Sequence, residues 1–466
     1  MSDTIEELFQ LARAGDADAF RAVAGNVSAA DLVGAVDRFG DSLLHAAASG
    51  GSPDIVDQFL AAGPKASVKG EDKRTPMHVA AREGHVPVME RLVKKRASVK
   101  ARDKYGNQPL HLAAIGGHLD AVRWLVETRK APINETNRAG DAPLHMAATE
   151  DEEAVVAWLL DHGADPTIED PYSGNPLGHA LSNMAFRSAR TLARRMPDFD
   201  RSGEHAAELA VLAGRHGDID TLAWLVEGGC SLDVHGHSGF TPLIALAYHS
   251  NVPGPNKVEV ARWLLDRGAM VDARDHDERT ALHRAAANGD LELARFLVEQ
   301  GADPGAVDDE GHTLLHEAAR APEPEMAAWV LSLGSPVDPE THDGWTPLML
   351  AAMEGRAATV RLLLDRGADL YKADAASPFL VLAVATDDPE LIRTAVEAGL
   401  DPNRPDSIGF TPLHKAVLAN KPRSAEALLE AGADPNRTTR SGDTPLDLAR
   451  SMNREEVAAI LEAVMG

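Results

Sequence analysis

Apolar positions fall in short paired clusters, and the pairs recur along the whole chain. In residues 409–436, GFTPLHKAVLANKPRSAEALLEAGADPN, Leu413 and Ala416 share one helical face, a polar stretch follows, and Ala425, Ala427, Leu428 and Leu429 form a second apolar run beginning near Ser424. Thr411 supplies a hydroxyl that caps the first predicted helix. Pro412 takes its first position, where an N–H would be unsatisfied in any case. Gly432 ends the second helix in the left-handed backbone that glycine enters freely. Residues 434–442 then turn the chain back, so the predicted element is a turn followed by two short antiparallel helices.

Taking the Thr of Thr-Pro-Leu-His as a marker, copies fall at Ser42, Thr75, Gln108, Ala142, Asn175, Glu208, Thr241, Thr280, Thr313, Thr346, Ser377, Thr411 and Thr444. Most steps are 33 residues, as from Ser42 to Thr75 and from Thr75 to Gln108. A degenerate first copy, ELFQLARAGDADAFRAV, adds a marker at Glu6. One such repeat cannot bury both sides of its helices, so neighbours must stack and the ends must be polar caps. Glu6, Glu7, Asp16 and Asp18 suit the first cap, and Glu455, Glu456 and Glu462 the last.

The wording G-x-T-P-L-H-x-A, two helices and then G-A-D, resembles the ankyrin repeat over essentially the whole chain. The best copies are GFTPLIALA from Gly239, RTALHRAAANGD from Arg279, GWTPLMLAAMEG from Gly344 and GFTPLHKAV from Gly409. The resemblance implies an all-α ankyrin-repeat solenoid of about fourteen helix-turn-helix units, an L-shaped stack whose hairpin fingers and first helices form a concave face that binds other proteins. The expected organisation is a cap at 1–38, regular repeats at 39–172, degenerate repeats at 173–238, further repeats at 239–443 with an inter-helix insertion at 250–257, and a cap at 444–466.

Composition sharpens this picture. Aromatic residues make up 4% of the chain, which fits helices packed through Ala and Leu and makes each exposed ring informative. The formal charge of −26 disfavours nucleic acid and anionic membranes as partners and favours proteins with basic or mixed surfaces. It also keeps a long array soluble, and a monomer is expected. One cysteine, Cys230, excludes an internal disulfide and suits a reducing, cytoplasmic setting. The N-terminus lacks a basic start and apolar core, so no secretory signal is read there, and no run is long enough to span a membrane. Arginine outnumbers lysine 34 to 12, and with abundant Ala this points to a GC-rich bacterial genome.

The pattern breaks in four places. Around Asn175 the turn is a residue short and His179 falls one place late; the next copy, at Glu208, has lost the wording. Arg187, Arg190, Arg194 and Arg195 form a basic strip there, read as a solvated face or a bespoke surface. After Thr241, the sequence AYHSNVPGPNKVEV lengthens the repeat, and Pro253, Gly254 and Pro255 predict a loop. Pro322 and Pro324 interrupt the Thr313 repeat at the same inter-helix position.

Histidines at the fourth place of the motif, His45, His78, His111, His145, His283, His316 and His414, are expected to hydrogen-bond within and between turns, as the resemblance implies. Cys230, His235 and His237, with His216 and His249 nearby, form the one grouping whose residue types could ligate zinc. The expected separation of about 12 Å between helix end and hairpin, at 1.5 Å per residue, argues against a shared site. No phosphate loop, nucleophile elbow or H-E-x-x-H is present. The reading is therefore a non-enzymatic scaffold, adaptor or inhibitor with no catalytic residues, cofactor or metal. A metal-dependent enzyme or metal-binding protein built on that Cys/His grouping is the alternative.

The residue just before each marker is expected on the hairpin finger. In the first half this row reads Asp41, Arg74, Asn107 and Asp141, ordinary solvated surface; from the Thr241 repeat it reads Phe240, Arg279, His312, Trp345, Ala376, Phe410 and Asp443. Aromatics beside Arg compose interface hot spots, so Phe240, Arg279, His312, Trp345 and Phe410 are the candidate partner-binding residues.

Overall fold

The computed structural model describes residues 2–171, 174–196, 198–248, 254–370, 372, 378–406 and 408–465. The chain divides into two compact halves, Met1–Leu209 and Ala210–Gly466. Each is built from stacked repeats of a finger, a short first helix and a second helix.

Local chemistry sets each element. Thr411 caps helix Pro412–Leu418 with Pro412 at its start, and His414 completes a reciprocal capping box. Leu413, His414, Ala416 and Val417 are buried against neighbouring first helices. The second helix, Pro422–Glu430, buries Ser424, Ala425, Ala427 and Leu428. Gly432 then takes φ +91, and the Ala433 N–H returns to the Leu428 carbonyl at 2.8 Å, a Schellman-like ending. The same grammar yields Pro109–Ile115 after Gln108 and Pro347–Met353 after Thr346.

The finger has a neck and a tip. The residue five before the marker donates its N–H to the carbonyl of the residue just before the marker: Asp103 to Asn107 at 3.0 Å, Asp275 to Arg279 at 2.9 Å, Asp406 to Phe410 at 2.9 Å. Where that residue is Asp, its carboxylate accepts two N–H groups in return, as Asp103 does from Tyr105 and Asn107, both at 2.8 Å. Adjacent tips are joined by backbone bonds, Lys104 N–H to the Asp72 carbonyl at 2.6 Å and Arg138 N–H to that of Tyr105 at 2.9 Å. Gly106 allows this approach, since a Cβ on it would stand 2.9 Å from the Arg138 nitrogen.

Two boundaries differ from expectation. The insertion after Thr241 is helical sooner than its prolines suggest: a helix spans Gly254–Asp266, which includes 254–257, because proline is tolerated in a first turn. Pro253 and His249 lie outside the described residues, as do Ala376 and Ser377. The final helix, Glu455–Met465, buries Val457 and Leu461 but leaves Val464 58% and Met465 42% exposed, so this cap is less polar than its glutamates imply.

Candidate functional site

The motif histidines form the connections between repeats. Nδ1 of His78 accepts the Thr75 N–H at 3.1 Å, which places the ring proton on Nε2, and Nε2 donates to the Asn107 carbonyl of the next finger at 3.0 Å. His45 to Arg74 and His111 to Asp141 repeat the bond in the first half, His316 to Trp345 and His414 to Asp443 in the second. Burial pushes these imidazoles toward the neutral form, to about 4 for His111 and His316. Their role is structural. His145 departs from the series: fully buried, its Nε2 has no hydrogen-bond partner, and its ring meets His179 edge-to-face at 5.0 Å.

The five predicted partner residues sit at finger necks rather than tips, and each is half-buried. Phe240 lies against Tyr248, centroids 5.1 Å apart, with the Arg284 guanidinium 5.3 Å from its ring. Arg279 and His312 converge on Asp308, at 2.8 and 3.1 Å, and Arg279 also faces Glu310 at 3.4 Å and Glu317 at 3.9 Å. Phe410 carries the Lys415 ammonium at 5.0 Å from its ring. Trp345 stands alone among the five, its backbone bonded to Thr341 and His316. The structure thus brings Arg279 and His312 together and leaves the three rings in separate repeats. In the first half the equivalent row is not ordinary solvated surface: Asn107 is 7% exposed and bonded to both Asp103 and Asn137.

One signal in the sequence went unread. The residue four after the marker stands beside the finger and meets its Asp: Arg284 reaches Asp275, Lys415 reaches Asp406 at 2.7 Å, and His179 reaches Asp170 at 2.5 Å. His179, one place late for the ladder, thus occupies this cationic position instead. The Asp and its partner are nine residues apart in every case, a spacing visible in the sequence once the finger is known.

Metal-ligand geometry is poor. Asp308, His312 and Glu317 offer atoms within 4.8 Å of one another, as do Asp141, Asp170 and His179. The Arg279 guanidinium already supplies the positive charge in the first cluster. In the second, the 2.5 Å between His179 and Asp170 is a hydrogen bond, shorter than the roughly 3.4 Å between neighbouring tetrahedral ligands at zinc distances. Among the described residues Cys230 joins no such grouping. Its thiol is 6% exposed, donates to the Ser231 carbonyl at 3.4 Å and is pushed up by burial, the opposite of an activated thiolate. His235 bonds instead to the Arg274 carbonyl at 2.9 Å. The arginine strip pairs with the preceding repeat, Arg187 with Asp151 and Arg190 with Glu153, both at 2.9 Å, and Arg195 with Asp161.

Comparison with known proteins decides the family. The pattern described as ankyrin repeats (3 copies) matches residues 8–103, 88–170, 209–308 and 282–374, and that described as ankyrin repeats (many copies) matches 396–449. The chain belongs to the ankyrin-repeat family. No curated protein matches it. Among solved structures it is similar to the human ASB11 ankyrin repeat domain, 21% identical, covering 49% of this chain and 99% of that one with a TM-score of 0.42. Ankyrin repeats bind other proteins, and no helix among the described residues is long and apolar enough to cross a membrane.

Proposed function

We propose that the chain is a non-enzymatic scaffold, adaptor or inhibitor that grips a partner protein along the finger necks of its second half, through Phe240, Arg279, His312, Trp345 and Phe410. The observation that carries this reading is the pairing of rings with cations: Arg284 over Phe240 and Lys415 over Phe410 hold two aromatic faces in place before any partner arrives. Preformed aromatic and Arg anchors are what interface hot spots use. The adjoining tips carry Asp277, Glu278, Asp309, Glu310 and Asp343, all exposed, which suits a partner with a basic surface. A reducing, cytoplasmic setting accords with the buried lone thiol.

The test is triple substitution of Phe240, Trp345 and Phe410 to Ser, followed by melting and by capture of the native partner, identified by mass spectrometry. Loss of capture with a melting temperature within about 3 °C of the parent is the expected result. Unchanged capture sinks the assignment, and a large fall in melting temperature assigns the rings to packing.

A further inference from the structure

The finger tips of the first half differ from everything expected of a chain this acidic. In the finger before Ser42 the tip is Arg38-Phe39; before Thr75 it is Glu71-Asp72-Lys73; before Gln108, Lys104-Tyr105; before Ala142, Arg138-Ala139. Arg38, Lys73, Lys104 and Arg138 are all exposed. Of the acids among them, Asp72 is held by the next finger, its carboxylate 3.2 Å from the Lys104 ammonium and accepting the Tyr105 hydroxyl at 3.4 Å, which leaves Glu71 as the one exposed acid on the row. Among the described residues Arg38, Lys73 and Arg138 make no ion pair.

Two exposed rings stand among these cations. Phe39 is 51% and Tyr105 48% exposed, with the Arg38 guanidinium 4.6 Å from the first ring and the Lys104 ammonium 5.5 Å from the second. Phe39 lies beside Arg38 and Tyr105 reaches Asp72 of the preceding finger through its hydroxyl, whereas Phe240 and Phe410 pack their rings against Tyr248 and His414. The last three tips are also rigidly spaced, because backbone bonds join Lys104 to Asp72 and Arg138 to Tyr105, and the Glu71 N–H ties the second finger to the Asp41 carboxylate of the first at 2.8 Å.

We infer that this row is a second binding site, for an extended acidic segment of a protein. Stacked repeats set neighbouring tips about 8–10 Å apart. In polyproline II geometry a chain advances about 3.1 Å per residue and turns once every three residues, so every third side chain of a bound segment points the same way and meets one finger. The segment therefore carries Asp or Glu at every third position over about ten residues, with apolar side chains between them to cover Phe39 and Tyr105. Carboxylates at that period pair with Arg38, Lys73, Lys104 and Arg138 in turn. The site does not depend on the function proposed for the second half, since the two share no residue.

The probe is a peptide of about twelve residues with Glu at every third position, titrated by fluorescence anisotropy into the full chain at low salt. It is compared with an isomer whose glutamates are contiguous and with a thymidine oligonucleotide of equal length. Binding that weakens with salt, falls about tenfold in Arg38→Glu/Lys73→Glu/Arg138→Glu and is several-fold weaker for the isomer is expected, as the loss of three exposed ion pairs plus repulsion predicts. A melting temperature unchanged in the triple variant keeps the comparison valid, since all three side chains are exposed. No binding, or binding indifferent to the triple change, overturns the site. Tighter binding of the oligonucleotide reassigns the row to nucleic acid and overturns it as well. Salt-sensitive self-association abolished by the triple variant assigns the row to the acidic fingers of a second copy, with the same consequence. Phe240, Trp345 and Phe410 substitutions leave the peptide titration untouched, so failure here is distinguishable from failure of the proposed function.

Discussion

The two halves use one repeat to opposite ends. In the first, the four finger tips before Ser42, Thr75, Gln108 and Ala142 are basic and hold exposed rings at Phe39 and Tyr105, while the residue four after each of these markers is apolar: Ala46, Val79, Leu112 and Met146. In the second, three successive tips are acidic, at Asp277-Glu278, Asp309-Glu310 and Asp343, and the same helical position carries Arg284, Glu317 and Lys415. Positive charge has moved from tip to helix, at Arg284 and Lys415, and rings from tip to neck. The lesson is that the repeat fixes where side chains stand and leaves their chemistry open, so a single architecture can present two surfaces of opposite sign.

The ladders differ too. His45, His78, His111 and His145 occupy four successive repeats in the first half, whereas in the second His283 and His316 are adjacent and Met349 and Leu380 set His414 apart from them. Acid provides the largest lever on this contrast. A histidine whose folded pKa is depressed binds its proton more readily when unfolded, so its contribution is present above pH 6.5 and is lost as pH falls toward the folded value. For His111, lowered to about 4, the loss approaches about 3 kcal/mol at the bottom of that window. In the second half Glu317 moves the opposite way, since burial raises its pKa and acidification relieves the cost of its buried charge. Hydrogen exchange between pH 7 and 4.5 is expected to show the first half losing protection earlier; simultaneous loss would erase the distinction.

A smaller, local break is His78→Leu. It leaves the Thr75 N–H without its ring acceptor and takes from the Asn107 carbonyl its donor across the repeats, leaving it the Asp103 N–H alone. We expect about 2–3 kcal/mol of destabilisation, read by urea titration and confined by exchange to the repeats around Thr75 and Gln108. Met349, which caps nothing, shows that an apolar residue fits the same place: its neighbour Thr346 still accepts the Met349 N–H at 3.4 Å. Loss of protection spreading evenly through both halves would contradict nearest-neighbour stacking.

The smallest effect belongs to Cys230→Ser. A hydroxyl can donate to the Ser231 carbonyl as the thiol does, and the site is already small and nearly closed. A change below about 1 kcal/mol is expected, with unaltered metal content by elemental analysis. Loss of bound zinc in the folded variant would revive the metal reading of the second half.

Periodicity alone determined the repeat and its two helices, because each depends on residues within a few positions of one another: Thr411 and Pro412 start a helix and Gly432 ends one. What lay beyond the sequence was everything decided across repeats. That Phe240 and Phe410 stand at half-buried necks while Phe39 and Tyr105 stand at open tips depends on hydrogen bonds between residues four apart in the finger and on side chains supplied by helices. That Arg187 and Arg190 are ion-paired depends on acids more than thirty residues earlier. Such pairings obey no period within one repeat, since the exposure of a side chain is set by whatever the next repeat places against it, and only the stacked structure brings the two together.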